Sequence, residues 1–213
     1  MCSQSKLGHK LYYWQFDRRE SMTILITGLI LFLGMHSVRI FAENWRLEQI
    51  YKRGEKTWQA IFSIISLSGF ILIIWGYSEA RVVSQILWYP PVWTRHAAAL
   101  LILLGFVFIV AADISGTKIK SKIGHPMIVG VKLWAFGHLI SNGSVADIVL
   151  FASFLVWAIL DFRASRQRDK ANGLTYEFTG YHRDLIAITI GLILGVVFVL
   201  YLHDVLIGVK PFA

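Results

Sequence analysis

Residues 124–143 read Gly-His-Pro-Met-Ile-Val-Gly-Val-Lys-Leu-Trp-Ala-Phe-Gly-His-Leu-Ile-Ser-Asn-Gly, a stretch that is apolar enough to enter a membrane. It nevertheless contains His125, Lys132 and His138. Ionisable side chains within a bilayer are costly and usually serve a function. About 15 residues lie between Pro126 and Ile140, which covers only about 23 Å at the helical rise of 1.5 Å per residue. We expect a true but short crossing; the alternative is a re-entrant segment.

The composition of the whole chain also indicates a membrane protein. Of its 213 residues, 56% are hydrophobic and 16% are charged, whereas a soluble domain carries about a quarter of charged residues. The net charge of +8 does not indicate nucleic-acid binding, because the Lys and Arg residues lie mostly in short loops between apolar runs. There they would meet anionic membrane lipid. The single cysteine, Cys2, excludes a disulfide framework and a covalent haem-attachment motif.

The apolar runs predict an all-α, polytopic integral membrane protein with about six transmembrane helices and a short fourth helix. The second run carries Ser63, Ser66 and Gly69 at helical spacing, which suits close helix packing. Residues 1–21 are predicted to be an irregular polar tail or an upstream start extension before Met22, and 22–213 a single transmembrane domain. The predicted spans are 22–41, 58–77, 94–112, 126–140, 145–162 and 184–207.

The distribution of Lys and Arg predicts the orientation in the membrane. With six spans, the three loops on one side hold twelve of these residues, and the other side, which includes both termini, holds seven. Positive charge accumulates on the cytoplasmic side of membrane proteins. We therefore expect both termini to be periplasmic in a bacterial inner membrane.

Five of the seven histidines lie in or at the apolar runs: His36, His96, His125, His138 and His203. Neutral imidazole is a favoured ligand for haem iron, zinc and copper. Zinc is less supported, because the chain has no HExxH motif and no histidine pair at i, i+4 spacing. Single histidines on separate helices suit axial haem ligation, with Arg39 and Lys132 as partners for the propionates. Nucleophilic catalysis lacks support, since there is no GxSxG motif.

Five motifs follow one another along the chain: Leu-Gly-Met-His-Ser-Val-Arg at 33–39, Trp-Gly-Tyr at 75–77, Pro-Pro-Val-Trp-Thr-Arg-His at 90–96, Gly-His-Pro at 124–126 and Lys-Leu-Trp-Ala-Phe-Gly-His-Leu at 132–139. Together they resemble the bacterial NnrU family over about residues 22–210. The family's name comes from an association with nitrite and nitric oxide reduction in denitrifying bacteria, so the resemblance implies a role near that respiration.

The family is also similar to 15-cis-zeta-carotene isomerase, an integral membrane enzyme that uses haem b. That resemblance implies His36 and His138 as the iron ligands, with His125 matching the histidine of the His-Pro motif. The isomerase has a redox-active cysteine three residues before its second ligand, where this chain has Ala135. A cysteine-based switch and an identical activity are therefore not expected here.

The predicted topology also allows a second pair of iron ligands, His36 with His125. His36 and His138 would differ in depth by roughly 15 Å along ideal helices, whereas His36 and His125 would lie at similar depth. His138 is kept as the first choice because the resemblance rests on its motif, and His125 is the alternative ligand.

The sequence thus predicts a haem b protein linked to nitrite and nitric oxide reduction, or to haem-dependent isomerisation of an apolar polyene. One alternative is a haem-free assembly or accessory factor for a respiratory enzyme complex. Another is a membrane methyltransferase that uses S-adenosylmethionine, but Gly124-His125-Pro126-Met127-Ile128 lacks the Arg and Tyr of that signature.

Overall fold

The computed structural model describes residues 4–209 and 211, and its regular elements there are all helices. Beyond them, an isolated bridge joins Ile86 and Ser144. The last membrane helix is interrupted by a π-helical turn, Phe198–Leu202. The α-helices are α1 (Gln4–Phe41), α2 (Glu43–Arg53), α3 (Glu55–Val83), α4 (Val92–Asp113), α5 (Lys118–Ile123), α6 (Pro126–Ser141), α7 (Val145–Ala171), α8 (Tyr181–Val197) and α9 (His203–Ile207).

The expected fold class is confirmed. Within the described residues, five helical segments are long and apolar enough to cross a membrane, and α6 is a shorter apolar helix. The lipid-facing character is visible in large apolar side chains that remain exposed, such as Leu185 on α8 at 65% and Ile64 on α3 at 66%. Such a surface is stable only against an apolar medium or partner. The five segments are Arg19–Phe41, Glu55–Val83, Val92–Asp113, Val145–Ala171 and Tyr181–Val205.

Three sequence-based boundaries are wrong, all in segments that were expected to be irregular. Residues from Gln4 onward belong to α1, and the chain has no proline before residue 90 that would break that helix. The basic loop after α1 contains α2, and α7 continues to Ala171, nine residues beyond the predicted end at 162. Hydropathy marks where a helix leaves the lipid, whereas backbone hydrogen bonding continues until a cap or breaker ends it.

The described residues divide into two compact units, 1–88 with 144–150, and 89–143 with 151–213. In the first unit, α1 packs on α3 through glycines. A Cβ built on Gly28 would lie 2.7 Å from the Ile73 nitrogen, and one on Gly76 would lie 2.4 Å from the Leu25 nitrogen. The buried face of α3 therefore follows Ser66, Gly69, Ile73, Gly76 and Ala80, whereas Ser63 of the predicted stripe is exposed.

The start of α7 is held in the first unit by a capping box. The Ser144 hydroxyl accepts from the Asp147 nitrogen at 3.3 Å, and the Asp147 carboxylate accepts from the Ser144 nitrogen at 2.9 Å. The Tyr77 hydroxyl donates to the other carboxylate oxygen of Asp147 at 2.7 Å. These bonds account for a buried carboxylate within a membrane helix, so Asp147 has a structural role.

In the second unit, α4 packs against α6 and α8, again at glycines. A Cβ on Gly130 would lie 2.7 Å from the Gly105 carbonyl oxygen, and one on Gly191 would lie 2.5 Å from the Val107 Cα. At one end of this unit, the Asp184 carboxylate accepts from the backbone nitrogens of Lys118 at 2.8 Å and Ile119 at 3.0 Å, which caps α5. Short backbone separations of this kind are typical of membrane helix pairs.

Candidate functional site

His138 lies in the last turn of α6, and the hydrogen bond of its ring fixes its tautomer. Its Nδ1 lies 2.9 Å from the carbonyl oxygen of Trp134, four residues earlier. A carbonyl oxygen can only accept, so Nδ1 carries the hydrogen and the lone pair of the neutral ring is on Nε2. This is the arrangement that metal-ligating histidines commonly use, with the second nitrogen oriented by a backbone carbonyl.

Aromatic rings surround His138 within the second unit. Phe151 of α7 stacks on it with ring centroids 4.6 Å apart, and the Trp134 ring is 5.3 Å away. The His203 ring lies 6.4 Å from it, with the two planes within 15°. Ala135, one turn before His138, is fully buried. His138 therefore occupies an aromatic environment that suits a flat, apolar cofactor.

His36 lies near the end of α1 in the first unit and has the same tautomer. Its Nδ1 donates to the carbonyl oxygen of Phe32 at 2.7 Å, so the lone pair of the neutral ring is on Nε2. The ring stacks on Phe32 at 4.2 Å and lies 5.0 Å from Phe62 of α3. Arg39, three residues later, is in the last turn of α1 and is exposed.

His125 is held differently, in a polar cluster at the start of α6. Its Nε2 lies 2.9 Å from the Asp169 carboxylate, which is only 7% exposed. The Tyr176 hydroxyl donates to both oxygens of the same carboxylate at 3.2 and 3.3 Å, and Arg166 lies 3.5 Å from it. Nε2 of His125 therefore carries a hydrogen and is engaged by Asp169, which leaves Nδ1 for the lone pair of the neutral ring.

Lys132 is in the middle of α6 and makes a cation–π contact. Its Nζ lies 3.8 Å from the ring centroid of Phe162 on α7. The side chain is partly buried, so the contact lets the ammonium group remain close to an apolar surface.

The predicted site residues therefore fall into separate places. His36 and Arg39 belong to the first unit, and His125, Lys132 and His138 to the second. Among the described residues, no group of three or more His, Cys, Asp or Glu side chains is arranged to hold a metal ion. The histidines described above instead have individual partners: backbone carbonyls for His36 and His138, and a carboxylate for His125.

Sequence reasoning missed Asp169 and Tyr176 and did not connect His203 with His138. Asp169 lies in α7, beyond residue 162, where the sequence predicted a polar loop. An acid placed among Arg166, Arg168 and Lys170 is a weak signal for a buried carboxylate. Its partner His125 is 44 residues away, and no local pattern indicates that pairing.

Comparison with known families agrees with the motif resemblance. The family model described as NnrU protein matches residues 24–211, which is most of the chain. Comparison with curated proteins and with solved structures finds no match. The matched range includes every membrane-crossing segment except the first residues of the earliest one, together with all five predicted site residues. The chain therefore belongs to the NnrU family.

Proposed function

We propose that this NnrU family member binds haem b in the bacterial inner membrane and supports nitrite and nitric oxide reduction. The ligand set that the resemblance implies is His36 with His138. When bound, the haem would supply one-electron redox chemistry at its iron. The residues that hold it would be two neutral imidazoles, with Arg39 and Lys132 as the cations that would pair with its propionates.

The observation that supports this proposal most is the shared tautomer of His36 and His138. Each ring donates Nδ1–H to the carbonyl oxygen four residues earlier, at 2.7 and 2.9 Å, and so keeps its lone pair on Nε2. A bond of this kind orients the ring and increases the basicity of the ligating nitrogen. His125 meets the same condition through Asp169, with the lone pair of its neutral ring on Nδ1, so His138 is preferred because the resemblance rests on its motif.

Aromatic neighbours support the same assignment. Phe32 stacks on His36 in the first unit and Phe151 stacks on His138 in the second, so each imidazole has apolar aromatic neighbours of its own. The buried Ala135 in place of a cysteine disfavours the ligand exchange of the isomerase, so isomerisation of an apolar polyene is the second proposal rather than the first.

An absorption spectrum of the protein tests the proposal. After production with ample haem and purification in mild detergent, we expect a Soret band and split α and β bands on reduction. His138→Ala and His36→Ala should each lose or strongly alter these bands. His182→Ala is the matched control, because this histidine is exposed in a polar segment. A colourless, iron-free wild-type protein would contradict the proposal.

Two other results would support a different function in place of haem binding. Co-purification of a colourless protein with a respiratory enzyme complex would identify a haem-free accessory factor. Calorimetric binding of S-adenosylmethionine would identify a methyltransferase.

A further inference from the structure

The short helix α2 has an apolar face that the described part of the chain leaves largely exposed. Leu47, Ile50 and Tyr51 are three and four positions apart, so they share one side of the helix. Leu47 and Tyr51 are exposed, Tyr51 by 92%, and Ile50 is half-buried. Exposed apolar side chains that cluster on one face mark a surface that contacts a partner or a membrane.

The opposite side of α2 packs against the beginning of α3. Trp45 is two positions before Leu47, which places it about 200° away around the helix. Its ring meets the ring of the buried Trp58 edge-on, with centroids 5.7 Å apart. The Trp45 side of α2 is therefore attached to α3, and the side that carries Leu47 points away from this contact.

The connections of α2 keep it at the boundary of the membrane. Only Ala42 separates it from α1 and only Gly54 separates it from α3, and both of those helices contain membrane-crossing segments. Backbone hydrogen bonds close both junctions, from the Ala42 nitrogen to the Val38 oxygen at 2.8 Å and from the Trp58 nitrogen to the Gly54 oxygen at 3.1 Å. Phe41, the last residue of α1, is exposed, so the apolar surface of α1 continues up to the start of α2.

The charged side chains of α2 suit the headgroups of phospholipids. Both acids of this helix are engaged by its own cations: Arg46 lies 3.1 Å from Glu43, and Lys52 forms an ion pair with Glu48. Arg53 adds an exposed cation at the end of the helix. A helix that combines an apolar face with basic residues beside it lies in the plane of the membrane surface.

We propose that α2 is an in-plane helix that inserts Leu47, Ile50 and Tyr51 into the lipid surface of the membrane that α1 and α3 cross. Its basic residues then lie at the phosphate groups. The partner is the phospholipid bilayer itself, because the one-residue connections hold this face where headgroups meet acyl chains. In the predicted topology this is the cytoplasmic leaflet. The inserted helix would fix the depth of the joined ends of α1 and α3, and this inference does not depend on haem binding.

Spin labelling of the whole protein in vesicles of phosphatidylethanolamine and phosphatidylglycerol tests the proposal. Labels are attached to Leu47→Cys or Tyr51→Cys in a Cys2→Ser background, and their collisions with dissolved oxygen and with a water-soluble nickel chelate are measured. We expect both labels to collide often with oxygen and rarely with the chelate, at a depth of about 5–10 Å.

Lys52→Cys is the matched control for these labels. It is the exposed neighbour of Tyr51, about 100° further around the helix, and its label should collide readily with the chelate. Equal access of the chelate to positions 47, 51 and 52 would overturn the proposal, because the apolar face would then lie in water. Protection of the labels at 47 and 51 from both reagents would also overturn it, since protein rather than lipid would then cover the face.

Discussion

At the residue scale, single side chains in this protein have roles that depend on which nitrogen or oxygen is engaged. His36 and His138 both donate from Nδ1 to a backbone carbonyl, whereas His125 donates from Nε2 to Asp169. All three were predicted as site residues because they lie in the motifs that resemble the NnrU family and the related isomerase. The hydrogen bonds thus leave the lone pair of the neutral ring on Nε2 in His36 and His138 and on Nδ1 in His125.

The Asp169 cluster leads to a prediction about stability. Asp169→Asn should lower the free energy of unfolding by about 1–3 kcal/mol, because the amide group brings two donors next to groups that already donate, His125 and Tyr176. The measurement is the thermal unfolding midpoint in detergent.

The matched control for this substitution is Glu177→Gln. It removes the same charge from the same polar segment, but Glu177 is exposed. We expect it to change stability by no more than about 0.5 kcal/mol. Equal midpoints for the two variants would show that the carboxylate of Asp169 does not hold this end of α7.

At the element scale, glycines determine how closely the membrane helices approach. Gly28 and Gly34 are both on α1, but only Gly28 lies against the backbone of α3. The small-residue stripe predicted on α3 is confirmed at Ser66 and Gly69, which are buried, and is wrong at Ser63, one turn earlier, which is exposed. Spacing alone identifies a face of a helix, and contact with the neighbouring helix decides where the face begins and ends.

These two glycines provide a matched pair of substitutions. Gly28→Ala should lower the thermal midpoint, since its new methyl group would lie 2.7 Å from the Ile73 nitrogen and 2.9 Å from the Gly69 oxygen. Gly34→Ala should leave stability unchanged or raise it by up to about 1 kcal/mol, because nothing lies within 4 Å and alanine favours a helix. A destabilised Gly34→Ala together with an unaffected Gly28→Ala would contradict the packing of α1 on α3.

At the scale of the whole molecule, the charge distribution and the number of crossings determine orientation. In the part of the chain that the structure describes, five helical segments are long enough to cross, and α6 is 16 residues long, or about 24 Å. If α6 crosses, the number of crossings is even and both termini share one side. The twelve Lys and Arg residues in the three loops predict that this side is the periplasm.

Reporter fusions test this orientation. Alkaline phosphatase, which folds only outside the cytoplasm, should be active when it is fused to the C-terminus. It should be inactive when inserted between Asn172 and Gly173, in an exposed turn after α7. The reverse pattern would contradict the positive-inside argument. An active C-terminal fusion combined with a cytoplasmic N-terminus would show that α6 does not cross.

The sequence by itself determined the membrane class, the apolar segments and the family. Hydropathy, loop charge and motifs are properties of consecutive residues, so they can be recognised without knowledge of any tertiary contact. The tertiary structure decided which side chains meet. His125 joins Asp169, and His138 joins His203, across 44 and 65 residues. These two side-chain contacts depend on the rotation and depth of whole helices. Glycine contacts and one π-helical turn set that geometry, and neither has a hydropathy signal.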